Sequence, residues 1–285
     1  MTIDTTIAPV TDSAQFAREW EVWHRAHEAG RAAPHGFLAV TGLHWLTAEP
    51  STFEGIPGLW STDAGGPVVD LAAGESLEVD GRSVSGRQAF GVIPERGGLT
   101  VGFAEGVIEV AKRGGHDILR PRRPDHPFLA TYSGTPVYVP DPRWRVAARF
   151  EAYDTPRATE VGAAVDGLTH VYEAPGELVF VIAGKEFRLV AFPGHGDGDL
   201  LVLFTDATSG VTTYAANRSL SVATPDAEGW TVIDFNRAVN LPCAYTDFAT
   251  CPLPPAGNRL PIAVEAGEKT PLSRWRADAS VGVSG

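Results

Sequence analysis

The chain reads as a mainly β protein: an N-terminal helix, a small β-sandwich-like domain, then a larger antiparallel β-barrel or sandwich closed by a long irregular C-terminal loop. Three observations predict this. The 31 glycines and 22 prolines are spread along the 285 residues rather than clustered, which suits many short strands joined by tight turns. One stretch alone carries a sustained helical period. Elsewhere short apolar segments recur about every ten residues, the spacing of a small sandwich or barrel.

The helical stretch is Asp12–Gly30, where Phe16, Trp20, Trp23 and His27 recur at three- and four-residue spacing and share one face. Asp12 with Gln15 resembles a capping box, and Gly30 is placed to end the helix. The apolar run from Gly36 to Leu46 follows, read as a buried strand or a tight helical turn. With it ends a helical segment, residues 1–50.

Residues 51–124 carry glycine-punctuated strands such as Ser76–Val79 and Arg82–Val84, joined by Asp80-Gly81. That pair accepts the positive φ of a type I′ hairpin turn. The basic, proline-broken run Arg120–Pro127 marks a boundary. Residues 125–285 open with the alternating Arg145–Tyr153 and continue through Glu177–Ile182, a turn at Ala183-Gly184, Glu186–Phe192, Leu200–Asp206, Val211–Tyr214 and Trp230–Phe235. No helix separates these strands, so an antiparallel meander is expected rather than a parallel α/β sheet.

Composition excludes several classes of partner. A net charge of −12 argues against nucleic acid, whose binders present basic surfaces, and against anionic membrane surfaces. No run reaches the roughly 20 apolar residues that cross a bilayer. The first residues lack the basic and apolar regions of a signal peptide, so a cytoplasmic location is expected. Cys243 and Cys251 are too few for a secreted disulfide framework.

From Asp234 to Lys269 the pattern breaks down. Prolines at 242, 252, 254, 255 and 261 forbid a continuous helix and remove ladder donors from any central strand. An irregular segment of this length inside a compact domain is usually functional or disordered. Tyr245, Phe248, two cysteines and several leucines speak for order. Asn236, Asn240 and Asn258 have side chains that imitate backbone amides and brace irregular chain.

Several blocks carry a specific resemblance: Asp206–Gly210 with Thr213, Tyr214 and Arg218, Asp234–Asn240, Pro242–Thr246, Ala249–Pro255, Asn258–Leu260 and Ala266–Lys269. The chain resembles an uncharacterised bacterial family, domain of unknown function 1684. Trp144–Phe150 and Thr41–Leu46 share the likeness. It implies no reaction and no cofactor. Where family members have a Tyr-Gly-x-Gly-Arg turn, this chain has Tyr214-Ala-Ala-Asn-Arg218.

Arg218, Arg237, Arg259 and Lys269 are the cations of these blocks. Converging at the open end of the sheet, they would suit a carboxylate or phosphate, which guanidinium grips through paired hydrogen bonds. The alternative is that Asp206, Asp234 and Glu265 pair with them as structural braces. Asn236, Asn240 and Asn258 would join them as ligand contacts, with Asp234, Tyr245 or Tyr214 moving protons. No metal is expected: Cys243 and Cys251 lack the spacing, and His170 or His195 would join them only through folding. His24 and His27 stand at i, i+3, outside the HExxH arrangement, and read as packing residues. His44 reads as a hydrogen-bonded core residue. Two functional readings follow. One is a pocket for an anionic small molecule, belonging to a binding protein or an enzyme. The other is a non-catalytic interaction module whose polar loop is structural.

Overall fold

A computed structural model describes residues 12–194 and 196–276; His195 lies outside them. Helix α1 runs Ser13–Arg31, one residue past the glycine expected to stop it. Asp12 caps it, its Oδ1 accepting the N–H groups of Ala14 and Gln15 at 2.9 and 3.0 Å. The Gln15 side-chain amide donates to Glu19 Oε1 at 2.8 Å, one turn along the helix.

The chain separates into two compact units. One gathers Ala29–Ser133 with Thr246–Thr250, Trp275 and Arg276. It holds a six-stranded antiparallel sheet in the order His44–Trp45, His116–Arg122, Gly106–Arg113, Gly98–Phe103, Leu77–Val79, Arg82–Val84. A four-stranded sheet runs Ser51–Phe53, Ile56–Asp63, Gly66–Asp70, Arg87–Ala89. Ile56, Trp60 and Val69 of the smaller sheet pack with Leu77, Val101, Ile108, Val110 and Leu119 of the larger in one buried core. The expected hairpin closes at Asp80 and Gly81, with φ of 50° and 73°, the left-handed pair that a type I′ turn requires.

A charged brace crosses the larger sheet. Glu109 and Arg120 face each other directly across adjacent strands. The carboxylate accepts from Arg113 at 2.9 Å, from Arg120 at 2.6 Å and from Arg122. Burial alone would raise the Glu109 pKa, but Arg120, Arg122 and Arg113 outweigh it and hold the group below its ordinary value.

Among the described residues the other unit comprises Asp12–Glu28, Gly134–Tyr245 and Cys251–Arg274. Its sheet has seven antiparallel strands in the order Trp230–Asp234, Arg145–Gly162, Thr169–Ile182, Lys185–Pro193, Leu200–Phe204, Arg218–Val222, Val239–Asn240. The Ala183-Gly184 turn again has both φ positive, at 49° and 77°. Residues alternate between exposed and buried along the first half of Thr169–Ile182, so one face of the sheet is covered. The first and last strands do not pair with each other, so the expected barrel is an open sheet in a sandwich-like arrangement. The irregular C-terminal segment covers it instead, adding Phe235, Ala238, Leu260, Val264 and Ala266 to the core. No helix among the described residues is long and apolar enough to cross a membrane.

Phe235 is fully buried and meets Trp144, Phe180 and Phe204 with ring centroids 5.6–6.3 Å away. Phe235→Ala is therefore expected to cost about 3–5 kcal/mol in denaturant unfolding; a cost below about 1 kcal/mol would show that the segment does not close this core. Glu109 gives a pH signature. With its folded pKa depressed, its contribution is complete above the unfolded value of about 4.3 and is lost as pH falls through the folded one. Unfolding between pH 7 and 3 should show Glu109→Gln with a flatter acid limb than the parent.

Candidate functional site

Three turns of irregular chain and one face of α1 build the polar centre of the seven-stranded unit. Asp234 Oδ1 accepts the Asn236 N–H at 3.1 Å and caps the 3₁₀ turn Phe235–Arg237. Asn236 spends its amide on Asp141, accepting from its N–H at 2.8 Å and donating to its carbonyl at 3.0 Å. The Asn236 carbonyl accepts the Trp20 indole N–H at 2.7 Å, which fixes α1 against this turn.

Arg218 and Asp206 form the buried electrostatic anchor. Both side chains are sealed, 1% and 0% exposed, and joined by a hydrogen-bonded ion pair. The same guanidinium donates to the carbonyls of Val264, Ala266 and Glu268. Asp206 also accepts from the backbone and hydroxyl of Thr208, so the carboxylate and both terminal guanidinium nitrogens are engaged within the scaffold. Asn258 behaves as an inserted strand residue, accepting from the Val190 N–H at 2.8 Å and donating to the carbonyls of Val190 and Leu203.

That anchoring delivers Glu268. Gly267 precedes it with φ of 75°, and a Cβ there would meet the carbonyl oxygens of Ala238 and Phe235 at 2.5 and 2.8 Å, so only glycine fits the turn. Glu268 is buried, 1% exposed. Its Oε2 accepts the Asn240 N–H at 2.6 Å and the Tyr245 hydroxyl at 3.3 Å. The Tyr245 oxygen also meets the Thr135 hydroxyl at 2.7 Å. The other oxygen, Oε1, lies 3.7 Å from His27 Nε2. His24 and Glu28, one turn apart on α1, come within 4.0 Å of each other. His24, Glu28 and Glu268 each place one donor atom within 4.8 Å of the other two. Both imidazoles are held by stacking, His24 on Trp20 at 4.7 Å and His27 on Trp23 at 5.5 Å between centroids.

The residues expected to form a site have different surroundings. Arg218, Asn236 and Asn258 are buried braces. Arg237 is half-exposed, 3.5 Å from Asp234, with its guanidinium 5.3 Å over the Trp23 ring. Arg259 is exposed. Lys269 is half-buried, its ammonium 4.4 Å over the Tyr138 ring, and its carbonyl accepts from the Asn240 amide. The expectation that four cations meet in a barrel mouth is corrected on two counts: the barrel is open, and Arg218 is enclosed by its own chain. Tyr214 donates to the Cys243 carbonyl at 2.9 Å and accepts from Arg274 at 3.1 Å. Burial pushes its pKa up, away from proton transfer near neutrality. Cys243 and Cys251 are both buried and free of a disulfide. The hydrogen bond to the Cys251 thiol, then burial, pushes the Cys243 pKa up, which keeps it a thiol.

Of the expected residues, Tyr245 and Asn240 reach the cluster, and Lys269 adjoins it in sequence. Glu268 is not among the expected residues, although it lies in the family-like block Ala266–Lys269. The signal available was the glycine before it in an irregular, family-like block.

The described residues form a mainly β protein of three antiparallel sheets, with a partly buried His/Glu/Tyr cluster in which Glu268 and Tyr245 are buried. Residues 130–269 match the family described as "Protein of unknown function (DUF1684)", and the chain belongs to that family. The block Thr41–Leu46, read above as sharing the likeness, lies outside the matched residues. An uncharacterized protein of Haloarcula marismortui, solved in solution by NMR, is 33% identical over 51% of this chain and 80% of that chain, with a TM-score of 0.42. No protein of curated function matches the chain.

Removing Arg218 leaves Asp206 buried and uncompensated and strips donors from the segment that carries Glu268. Arg218→Ala should cost about 3–5 kcal/mol in chemical unfolding. A folded variant of near-parental stability would contradict the bracing role.

Proposed function

We propose that the protein binds a small polar molecule bearing a carboxylate or phosphate, with the cluster around Glu268 as its site. One observation carries this reading. Two imidazoles, two carboxylates and a phenol from opposite ends of the unit converge on a point where packing alone would be served by apolar side chains. Burying a carboxylate is costly unless it is partnered. A cluster of this kind takes a ligand's hydrogen-bond donors or positive charge on Glu28 and Glu268. Arg237, which lies over the Trp23 ring that stacks on His27, and Lys269 supply positive charge for the ligand's anionic group. An enzyme and a ligand-responsive binding protein both use such a site.

The competing reading is an interaction module with a purely structural polar loop. It is favoured by the internal bonds that engage Arg218, Asp206, Asn236 and Asn258. A thermal-shift panel of inorganic phosphate, citrate and sugar phosphates separates the two. At a concentration of 100 Kd a ligand adds about 2.7 kcal/mol, readily seen as a rise in Tm. At least one anion is expected to stabilise the parent, and folded Arg237→Ala should lose most of that gain. Failure of every anion in the panel to shift the parent would leave the interaction module as the better account.

A further inference from the structure

We infer that His24, Glu28 and Glu268 form a binding site for a divalent transition-metal cation. This rests on the same cluster as the ligand-binding reading and names what occupies its carboxylate side.

The donor set is the first argument. One imidazole and two carboxylates are the ligands that zinc, manganese and ferrous iron accept, whereas calcium and magnesium favour oxygen alone. His24 and Glu28 stand at i, i+4, so one face of α1 presents both, and Glu268 approaches from the C-terminal segment. Their donor atoms lie within 4.8 Å of one another. Donors about 2.0–2.2 Å from an ion sit roughly 3.3 Å apart in a tetrahedral site. The closure required is therefore up to about 1.5 Å, within reach of rotation in the Glu28 side chain, which is 17% exposed.

The second argument is the support behind each donor. Metal-ligating side chains are oriented by partners that hold their other atoms. Glu268 Oε2 is fixed by the Asn240 N–H and the Tyr245 hydroxyl, which turns Oε1 toward α1, where His27 Nε2 lies at 3.7 Å. The His24 ring lies flat on Trp20, at an interplanar angle of 9°, and Trp20 is tied to the Asn236 carbonyl. Two carboxylates gathered in a partly dehydrated cluster repel one another, and a divalent cation converts that repulsion into attraction. Three protein ligands leave coordination positions open, where a carboxylate or phosphate would complete the shell.

The test uses the whole chain, stripped with EDTA and dialysed. Titration with Zn²⁺ by calorimetry should show one equivalent bound. Co²⁺ at the same site should give visible absorption bands with a nitrogen ligand's signature. Glu268→Gln removes the buried ligand but risks the fold. His24→Gln and Glu28→Gln alter partly exposed positions on α1, and each should weaken Zn²⁺ binding at least tenfold while circular dichroism stays parental. Absence of binding, or binding unchanged in both helix variants, overturns the inference. Repeating the anion panel with and without EDTA separates the two proposals. Anion stabilisation that persists in EDTA, in a chain that binds no Zn²⁺, overturns the metal and leaves the ligand site standing. Zn²⁺ binding lost in the helix variants, with no anion effect at all, supports the metal and ends the anion reading.

Discussion

The buried pair of Arg218 and Asp206 is the constraint on which the seven-stranded unit depends. An unpaired charge at 1% exposure is untenable, so the two must fold together. Once paired, the guanidinium still has donors to satisfy. Its terminal nitrogens donate to carbonyls 46 to 50 residues further along the chain. A proline-broken segment that cannot form a ladder of its own is thereby given a fixed path. The turn at Gly267 and the placement of Glu268 follow from that path. Electrostatics here specify geometry more than they add net stability.

Much of the scaffold was legible because its signals are local. Asp80-Gly81 and Ala183-Gly184 adopt the positive φ angles that the residue types imply, and Asp12 caps the helix as its side chain permits. The reading of asparagines as backbone mimics also carried through: Asn258 bonds two strands as a strand residue would. Closure of the barrel was not legible. Whether two edge strands meet depends on twist and on what else covers the sheet, and neither is written in the alternation of a single strand.

The candidate site was only partly legible, for a related reason. An arginine in an acidic chain looks available to an anion until the carbonyls that enclose it are known, and for Arg218 those come from Val264, Ala266 and Glu268. His24 and His27 looked like packing residues because their spacing fails a known metal pattern. Their stacking on Trp20 and Trp23 does pack them, yet it also aims them at a carboxylate some 240 positions away in sequence, a juxtaposition no local pattern encodes.

The tie between Trp20 and the Asn236 carbonyl has a consequence for how the chain is made. The two residues are 216 positions apart, and synthesis proceeds at about 5–20 residues per second. The helix therefore leaves the ribosome roughly 10–45 seconds before its partner exists. Throughout that interval the Trp20 indole lacks its native acceptor and Trp23 lacks the Arg237 guanidinium that later covers it, so the anchoring of this helix face is among the last steps of folding.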